Sequence, residues 1–339
     1  MCIRALVNDN GNQSSWDVGD TFMRVVSLAS GSSGNALLVE AGPHGRTKLL
    51  VDAGLSGRIL STRLHQVGLV LSQLQGVLIT HEHSDHVVGL PFIAKRTNFP
   101  IITDPRTFQA IAEGVASGSW RNESGSLTPI ATEQEAGPGV IPSSTPVASE
   151  AGSMISDTAF SRNHLALPVG TSCVVGDIEV TSFPISHDAI APCGYLLSAG
   201  GCRVCVVTDS GEVTPDMLEK MQLADLLVLE SNHDRQRLLR GPYPYALKQR
   251  ILSSTGHLSN DQAADAVLHT WRPDGVRWLW LSHISRTNNT PDLARTSMYT
   301  NLQRAGVNLA HIHISVSPPT LGPIWDSTQL WHTSSLWQY

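Results

Sequence analysis

Four apolar, strand-length runs in this chain each lead to side chains that bind metals. The first ends in His81-Glu82-His83-Ser84-Asp85-His86, and the others are Val180 to His187, Val204 to Asp209 and Trp278 to His283. Three of them repeat one design, an apolar strand followed by a small hydroxyl residue and a ligand: Ser186-His187, Thr208-Asp209 and Ser282-His283. Backbone direction is rigid at the end of a strand, so ligands on adjacent strands converge on one rim of a sheet. The chain must therefore fold so that these four ends meet.

Neutral imidazole and carboxylate suit zinc and tolerate manganese, with iron a less favoured third choice. His81, His83, Asp85 and His86 would crowd a single ion. Two ions relieve the crowding, with His81 and His83 on one and Asp85 and His86 on the other. His187, Asp209 and His283 complete the set, and the two oxygens of Asp209 suit it to bridge. Such a pair of ions lowers the pKa of bound water from about 15.7 toward about 7, so neither a Ser nor a Cys nucleophile is needed. The chain reads as a metal-dependent hydrolase, with Asp85 counted among its catalytic groups as well as its ligands. The leaving oxygen still needs a proton, and His257 with Glu230 at its strand end forms a candidate acid dyad.

The formal net charge of −6 argues against bulk electrostatic capture of nucleic acid. A local basic groove remains compatible with it, and bound cations add positive charge where it matters. Arg235, Arg237, Arg240, Lys248 and Arg250 form the densest basic stretch, close to the dyad. They read either as a solvated helix face or as a groove that tracks a phosphate backbone. Ser32 and Asn35 offer donors to a phosphate, and Asn232, Lys248 and Arg250 join them as expected substrate contacts. Five scattered cysteines fit a reducing cytoplasm better than a disulfide framework. Cys202 and Cys205 fall three apart in a strand, so they point to opposite faces and read as core residues rather than a zinc pair. Neither a signal peptide nor a run of roughly 18 apolar residues is present, which predicts a soluble cytoplasmic protein without membrane contact.

Residues 1–20 read as a loose leader, 21–318 as a single domain and 319–339 as a tail. Strands are expected at Met23–Leu28, Ala36–Glu40 and Lys48–Asp52, with a helix after Ser56 that Gly68 ends. Val77–Ile79 leads to the histidine cluster, then come a helix from Asp85 to Thr97 and a strand at Ile101-Ile102. From about 113 to 164 the chain turns rich in Gly, Ser, Pro and Thr and reads as a flexible surface insertion. Beyond it, hairpins turn at Gly176-Asp177 and Gly200-Gly201. Thr214-Pro215, Ser259 with Gln262, and Thr290-Pro291 each open a helix. Strands in hairpin-linked groups with helices between later ones predict a mixed sheet covered by helices, α+β or α/β.

His81-x-His83-x-Asp85-His86 after a hydrophobic strand resembles the signature of the metallo-β-lactamase superfamily. Further strings narrow the likeness: Ser30-Gly31-Ser32-Ser33-Gly34-Asn35, Glu230-Ser231-Asn232-His233-Asp234, Gly241-Pro242-Tyr243-Pro244, Gly256-His257-Leu258-Ser259-Asn260 and Asn288-Asn289-Thr290-Pro291. Together they look like the bacterial WalJ/YycJ subgroup from about Met23 to Gly306, outside the insertion. That resemblance implies an α+β fold, an αββα sandwich of two mixed sheets with a binuclear site at one edge. It implies that Asp52 supports the site without binding metal. It also implies nuclease activity, of the 5′-to-3′ exonuclease type on DNA, and makes a nucleic acid the expected partner. Related tRNA-maturation endonucleases carry a proton-donating His and Glu at positions similar to His257 and Glu230. Carboxyl ester, thioester or lactone hydrolysis on the same scaffold is the alternative enzyme reading, and a non-catalytic metal-stabilised module is another. The oligomeric state is not legible.

Overall fold

The computed structural model describes residues 23–121, 127–129, 163–272 and 277–332. The expected leader, most of the expected insertion and the last residues of the expected tail lie outside them. The first sheet contains β1 (Met23–Ala29), β2 (Ala36–Ala41), β3 (Thr47–Val51), β4 (Gly76–Leu78) and β5 (Ile101–Thr103). A small hairpin follows, β6 (Ser119–Arg121) with β7 (Leu127–Pro129), and then β8 (His164–Ala166). The second sheet contains β9 (Ser172–Val175), β10 (Ile178–Pro184), β11 (Cys193–Ala199), β12 (Cys202–Val207), β13 (Leu226–Glu230), β14 (Arg277–Ser282) and β15 (Ile312–Val316), and β16 (Ile324–Asp326) returns to the first. Strand order is β16-β1-β2-β3-β4-β5-β8 in one sheet and β15-β14-β13-β12-β11-β10-β9 in the other. Hairpin-linked pairs are antiparallel, whereas β3-β4-β5-β8 and β12-β13-β14-β15 are parallel.

Three apolar layers hold these parts together. Between the sheets lie Val25, Val39, Leu49, Val180, Tyr195 and Trp280. The other face of the first sheet packs Val26 and Leu28 against the helical Leu60, Leu64, Leu90 and Ile111. The other face of the second packs Leu227 and Leu279 against Met217, Ala263, Val267 and Met298. The result is helix, sheet, sheet, helix, the α+β sandwich that was expected. Period-2 alternation sends successive residues of one strand to different layers. Cys202 belongs to the inter-sheet layer and Cys205 to the outer one, as predicted for core thiols.

Where the structure departs from the sequence reading, long-range backbone bonds explain why. The helix expected from Asp85 to Thr97 is two helices, Ser84–Val87 and Leu90–Arg96. In a continuous helix Gly89 N–H would donate to the Asp85 carbonyl. Instead Gly89 N–H donates to Ala53 O (2.7 Å) and Asp85 O accepts from Asn35 N–H (2.8 Å). The helix Pro105–Ser117 runs past residue 113, because Trp120 is buried and its ring packs onto Gly114. The region after 318, expected as a tail, supplies β16, whose Trp325 is fully buried against β1. A three-residue strand carries too little pattern to be seen in sequence. Among the described residues no helix is long and apolar enough to cross a membrane.

Candidate metal centre

Topology turns four strand ends toward one edge. β10 and β12 both pair antiparallel with β11, so they point the same way, and β13 and β14 run parallel to β12. In register, Val207, Leu229 and Leu281 share one row. Asp209 and His283 therefore leave the sheet two residues later at one level, and β10 delivers His187 beside them. β4 brings Thr80 and His81 to the same edge from the first sheet. Asp52, Asp209 and His283 all adopt left-handed backbone (φ 61°, 54° and 52°), a rare state for such residues. Each costs on the order of 1–3 kcal/mol and turns its side chain inward at a strand end.

Among the described residues the donor atoms gather in four groups, of which two, His81 with His86 and Asp209, and Asp209 with Glu230, His257 and His283, contain Asp209 and two do not. Of the latter two, His81, His83 and His187 form one, with His187 Nε2 3.3 Å from His83 Nδ1. Asp85, His86 and His283 form the other, with Asp85 Oδ2 3.5 Å from His86 Nε2 and 3.6 Å from His283 Nε2. Asp209 adjoins both, grouped with His81 and His86, with its Oδ2 2.9 Å from His86 Nε2 and its Oδ1 2.9 Å from His283 Nδ1. A tetrahedral ion with bonds of about 2.0 Å spaces its donors about 3.3 Å apart. The buried His81 Nε2 and Asp85 Oδ1 have no hydrogen-bond partner among the described residues. Left alone such atoms are costly, so the arrangement fits cations.

A second tier orients the rings. His86 Nδ1 lies 2.8 Å from Asp52 Oδ2, and Asp52 Oδ1 accepts from Thr80 N–H at 2.9 Å. His81 Nδ1 meets Thr80 Oγ1 at 3.0 Å and His187 Nδ1 meets Gly256 O at 3.1 Å. With Nδ1 engaged, Nε2 is left facing the centre. Asp52 supports His86 from behind, as expected. Glu230 Oε1 lies 2.8 Å from His257 Nδ1 and 2.9 Å from His283 Nδ1, so the two residues expected as an acid dyad are in contact and Glu230 also reaches a candidate ligand. Glu230 Oε2 accepts from Ser210 N–H (2.9 Å) and Leu258 N–H (3.1 Å).

Charges in the cluster divide along the same lines. Burial, helped by the neighbouring His86 and His83, holds His81 well below the ordinary imidazole value, which suits a neutral donor. Burial also pulls His86 down, but Asp52, Asp85 and Asp209 outweigh it and raise His86 well above. A metal must therefore displace a proton there. Burial pushes the Glu230 carboxyl up, yet His257 and His283 prevail and bring it to about 2.

The expected substrate contacts divide. Asn35 is buried, donating from Nδ2 to Asp85 Oδ2 (3.3 Å), and Asn232 is buried, donating to the His283 carbonyl (3.0 Å). Both stand behind ligands rather than on open surface. Lys248 Nζ donates to Leu239 O (2.8 Å) and Gly241 O (2.7 Å), which fastens two helices together. Arg250 is at the rim, its Nε 2.7 Å from Asp188 Oδ2, and Asp188 Oδ1 lies 3.4 Å from His187 Nε2. Ser32 is exposed on its loop.

Sequence reasoning assigned no role to a buried amide knot beneath His283. There Asn289 Nδ2 donates to Asn260 Oδ1 (2.8 Å) and to Ser231 O (2.9 Å), and Ser231 Oγ donates to Asn260 Oδ1 (2.7 Å). Three polar residues far apart in the chain carried no pattern linking them. His233, fully buried beside this knot, was also given no role.

Comparison with known proteins agrees with this geometry. Residues 29–220 match the family model described as "Metallo-beta-lactamase superfamily". The chain is 32% identical over 299 residues to "Exodeoxyribonuclease WalJ" of Streptococcus pneumoniae serotype 2, spanning 88% of this chain and 95% of that protein. It is 33% identical over 279 residues to "Exodeoxyribonuclease YycJ" of Bacillus anthracis, spanning 82% and 89%. In fold it is similar to the metallo-beta-lactamase fold protein YhfI from Bacillus subtilis, with a TM-score of 0.57, 15% identity, and coverage of 91% of this chain and 100% of that one. Family model, relatives and architecture agree: the chain belongs to the metallo-β-lactamase superfamily, in its WalJ/YycJ-type branch.

Proposed function

We propose that this protein is a cytoplasmic nuclease that cleaves phosphodiester bonds with two divalent ions, zinc or manganese, as a 5′-to-3′ exonuclease on DNA. The observation that carries this reading is the juxtaposition of two donor sets about Asp209 with the Glu230–His257 pair at their side. The names of the WalJ and YycJ relatives support the choice of substrate. Bound ions would supply Lewis acidity to a phosphoryl oxygen and a water of lowered pKa.

The protein's own groups do the rest. His81, His83 and His187 would hold one ion and Asp85, His86 and His283 the other, with Asp209 offering a carboxylate beside both sets. Asp52 and Asn35 keep His86 and Asp85 in place. Glu230 accepts from His257 Nδ1–H, so His257 exchanges protons through Nε2, from which it delivers one to the leaving oxygen. A single domain that includes β16, with an insertion before β8, belongs to the same proposal.

Metal analysis combined with cleavage of end-labelled DNA and RNA by wild type and His81→Ala tests the proposal. We expect close to two ions per chain, nucleotide release from DNA and loss of both in the variant. Hydrolysis of generic esters with intact DNA would show that the scaffold serves carboxyl chemistry instead.

A further inference from the structure

Between residues 235 and 260 the sequence holds five Lys or Arg and neither Asp nor Glu, in a chain whose net charge is −6. In the fold this stretch forms a helical hairpin rooted at the metal centre. Its first helix, Arg235–Arg240, starts five residues after Glu230. Its second, Tyr245–Ile251, ends where the Ile251 carbonyl accepts from His257 N–H at 3.0 Å. Lys248 clamps the two helices through the Leu239 and Gly241 carbonyls. Both roots are at the centre, and most of the tip between the helices, residues 239–245, is exposed, while Gly241 lies against the buried Asn288.

That tip has the composition of a nucleic-acid surface. Tyr245 is 76% exposed and Leu239 45% exposed. Arg235, Arg237 and Arg240 are exposed, with no ion pair among the described residues. The nearby carboxylate of Asp234 is engaged as an acceptor for Arg237 N–H (2.7 Å). Arg250, between tip and metals, is held by Asp188 against the His187 side of the centre. From Tyr245 to Ile251 the helix rises about 9 Å. A strand running from the centre along this helix toward its N-terminus would meet a cationic tip bearing an aromatic face. Every base has a π-face, so such a platform accepts unpaired bases of any sequence, and the arginines supply the backbone attraction.

Resting on the nuclease reading above, we propose that Tyr245 is a stacking platform for an unpaired base, and that the arginine-bearing tip holds the adjoining backbone, so that single-stranded ends are fed to the metal centre. Tyr245 is a positioning residue in this scheme and leaves the reacting phosphate untouched.

The test uses the full-length, metal-loaded protein with wild type, Tyr245→Phe, Tyr245→Ala and Arg240→Ala. Substrates are a single-stranded oligonucleotide, the same sequence as a blunt duplex, and bis(p-nitrophenyl) phosphate, which carries no base. We expect Tyr245→Ala to raise KM for the single strand about tenfold with kcat retained, while Tyr245→Phe matches wild type. The small diester should be hydrolysed equally by all four, which checks folding. Arg240→Ala should lower the salt dependence of oligonucleotide binding by about one unit of slope. Stacking is read separately by fluorescence quenching of 2-aminopurine in a non-cleavable phosphorothioate strand, expected in wild type and lost in Tyr245→Ala. An unchanged KM and unchanged quenching in Tyr245→Ala would overturn the platform while leaving the nuclease reading standing. An equal effect on the blunt duplex would overturn the preference for unpaired ends. If wild type cleaves no nucleic acid but still quenches through Tyr245, the nuclease reading falls and the subsite stands. If it neither cleaves nor binds, both fall.

Discussion

Glu230 ties several parts of the centre together, because one oxygen serves both His257 and His283 while the other accepts two backbone N–H groups. His257 and Glu230 should therefore respond differently to substitution. His257→Ala should lower kcat about 10²- to 10⁴-fold with metal content unchanged, since it removes only a proton donor. Glu230→Gln should also weaken metal binding, by roughly 10- to 100-fold, because it loosens a ligand from behind. Atomic absorption alongside kcat separates the two outcomes. Gly54 illustrates a different constraint. A Cβ there would collide with the Asp85 carbonyl and with Asn35 N, the backbone contact that seats the ligand loop. Gly54→Ala should cost at least about 1–3 kcal/mol in urea unfolding, as overpacking of a rigid contact does.

Helix starts were legible because capping is local. Thr214 accepts from Met217 N–H, Ser259 and Gln262 form a full capping box, and Thr290 accepts from Leu293 N–H. Ser56 marks its helix correctly yet makes no side-chain cap bond. The Asp104 cap of Pro105–Ser117 does more than start a helix. Its Oδ1 accepts from Arg106 N–H and its Oδ2 from Val169 N–H, which ties the helix to the chain leading into the second sheet. Burial pushes the Asp104 carboxyl up, but Arg106 and these backbone donors outweigh it, so its folded pKa lies below the ordinary aspartate value. A depressed carboxyl pKa stabilises the fold above the unfolded pKa of about 3.9, and that stabilisation is lost as pH falls through the folded value. Asp104→Ala should thus cost about 0.5–2 kcal/mol near neutral pH, with the gap to wild type closing below about pH 4. Paired urea titrations at pH 7 and pH 3 measure it.

Across the whole molecule, the centre joins two sheets that also share an apolar layer, the Arg46–Asp177 ion pair at 2.6 Å and bonds such as Tyr195 Oη to Ile79 O at 2.6 Å. Under the proposed reading, ions held by His81, His83, Asp85 and His86 from one sheet and by His187, Asp209 and His283 from the other would act as a staple. Occupancy at 100 times the dissociation constant is worth about 2.7 kcal/mol per ion. Chelation should therefore lower Tm by several degrees and restore it on readdition. The strained backbones of Asp52, Asp209 and His283 should exchange amide hydrogens faster in the stripped protein. An unchanged melting curve with the ions removed would sink the staple.

Most strands, the hairpin turns and the donors that the fold gathers into candidate metal groups could be read along the chain, because side-chain period, turn chemistry and ligand spacing are properties of neighbouring residues. The division of donors into two sets was also foreseeable, since four ligands within six residues cannot share one small ion. The break at Gly89, the strand at Ile324–Asp326 and the retreat of Asn35 and Asn232 behind the ligands were not. Each depends on a partner far away in sequence: Ala53 for Gly89, β1 for β16, and Asp85 and His283 for the two asparagines. Such pairings exist only after the sheets have come together, when a buried amide must take whichever acceptor the packing sets beside it.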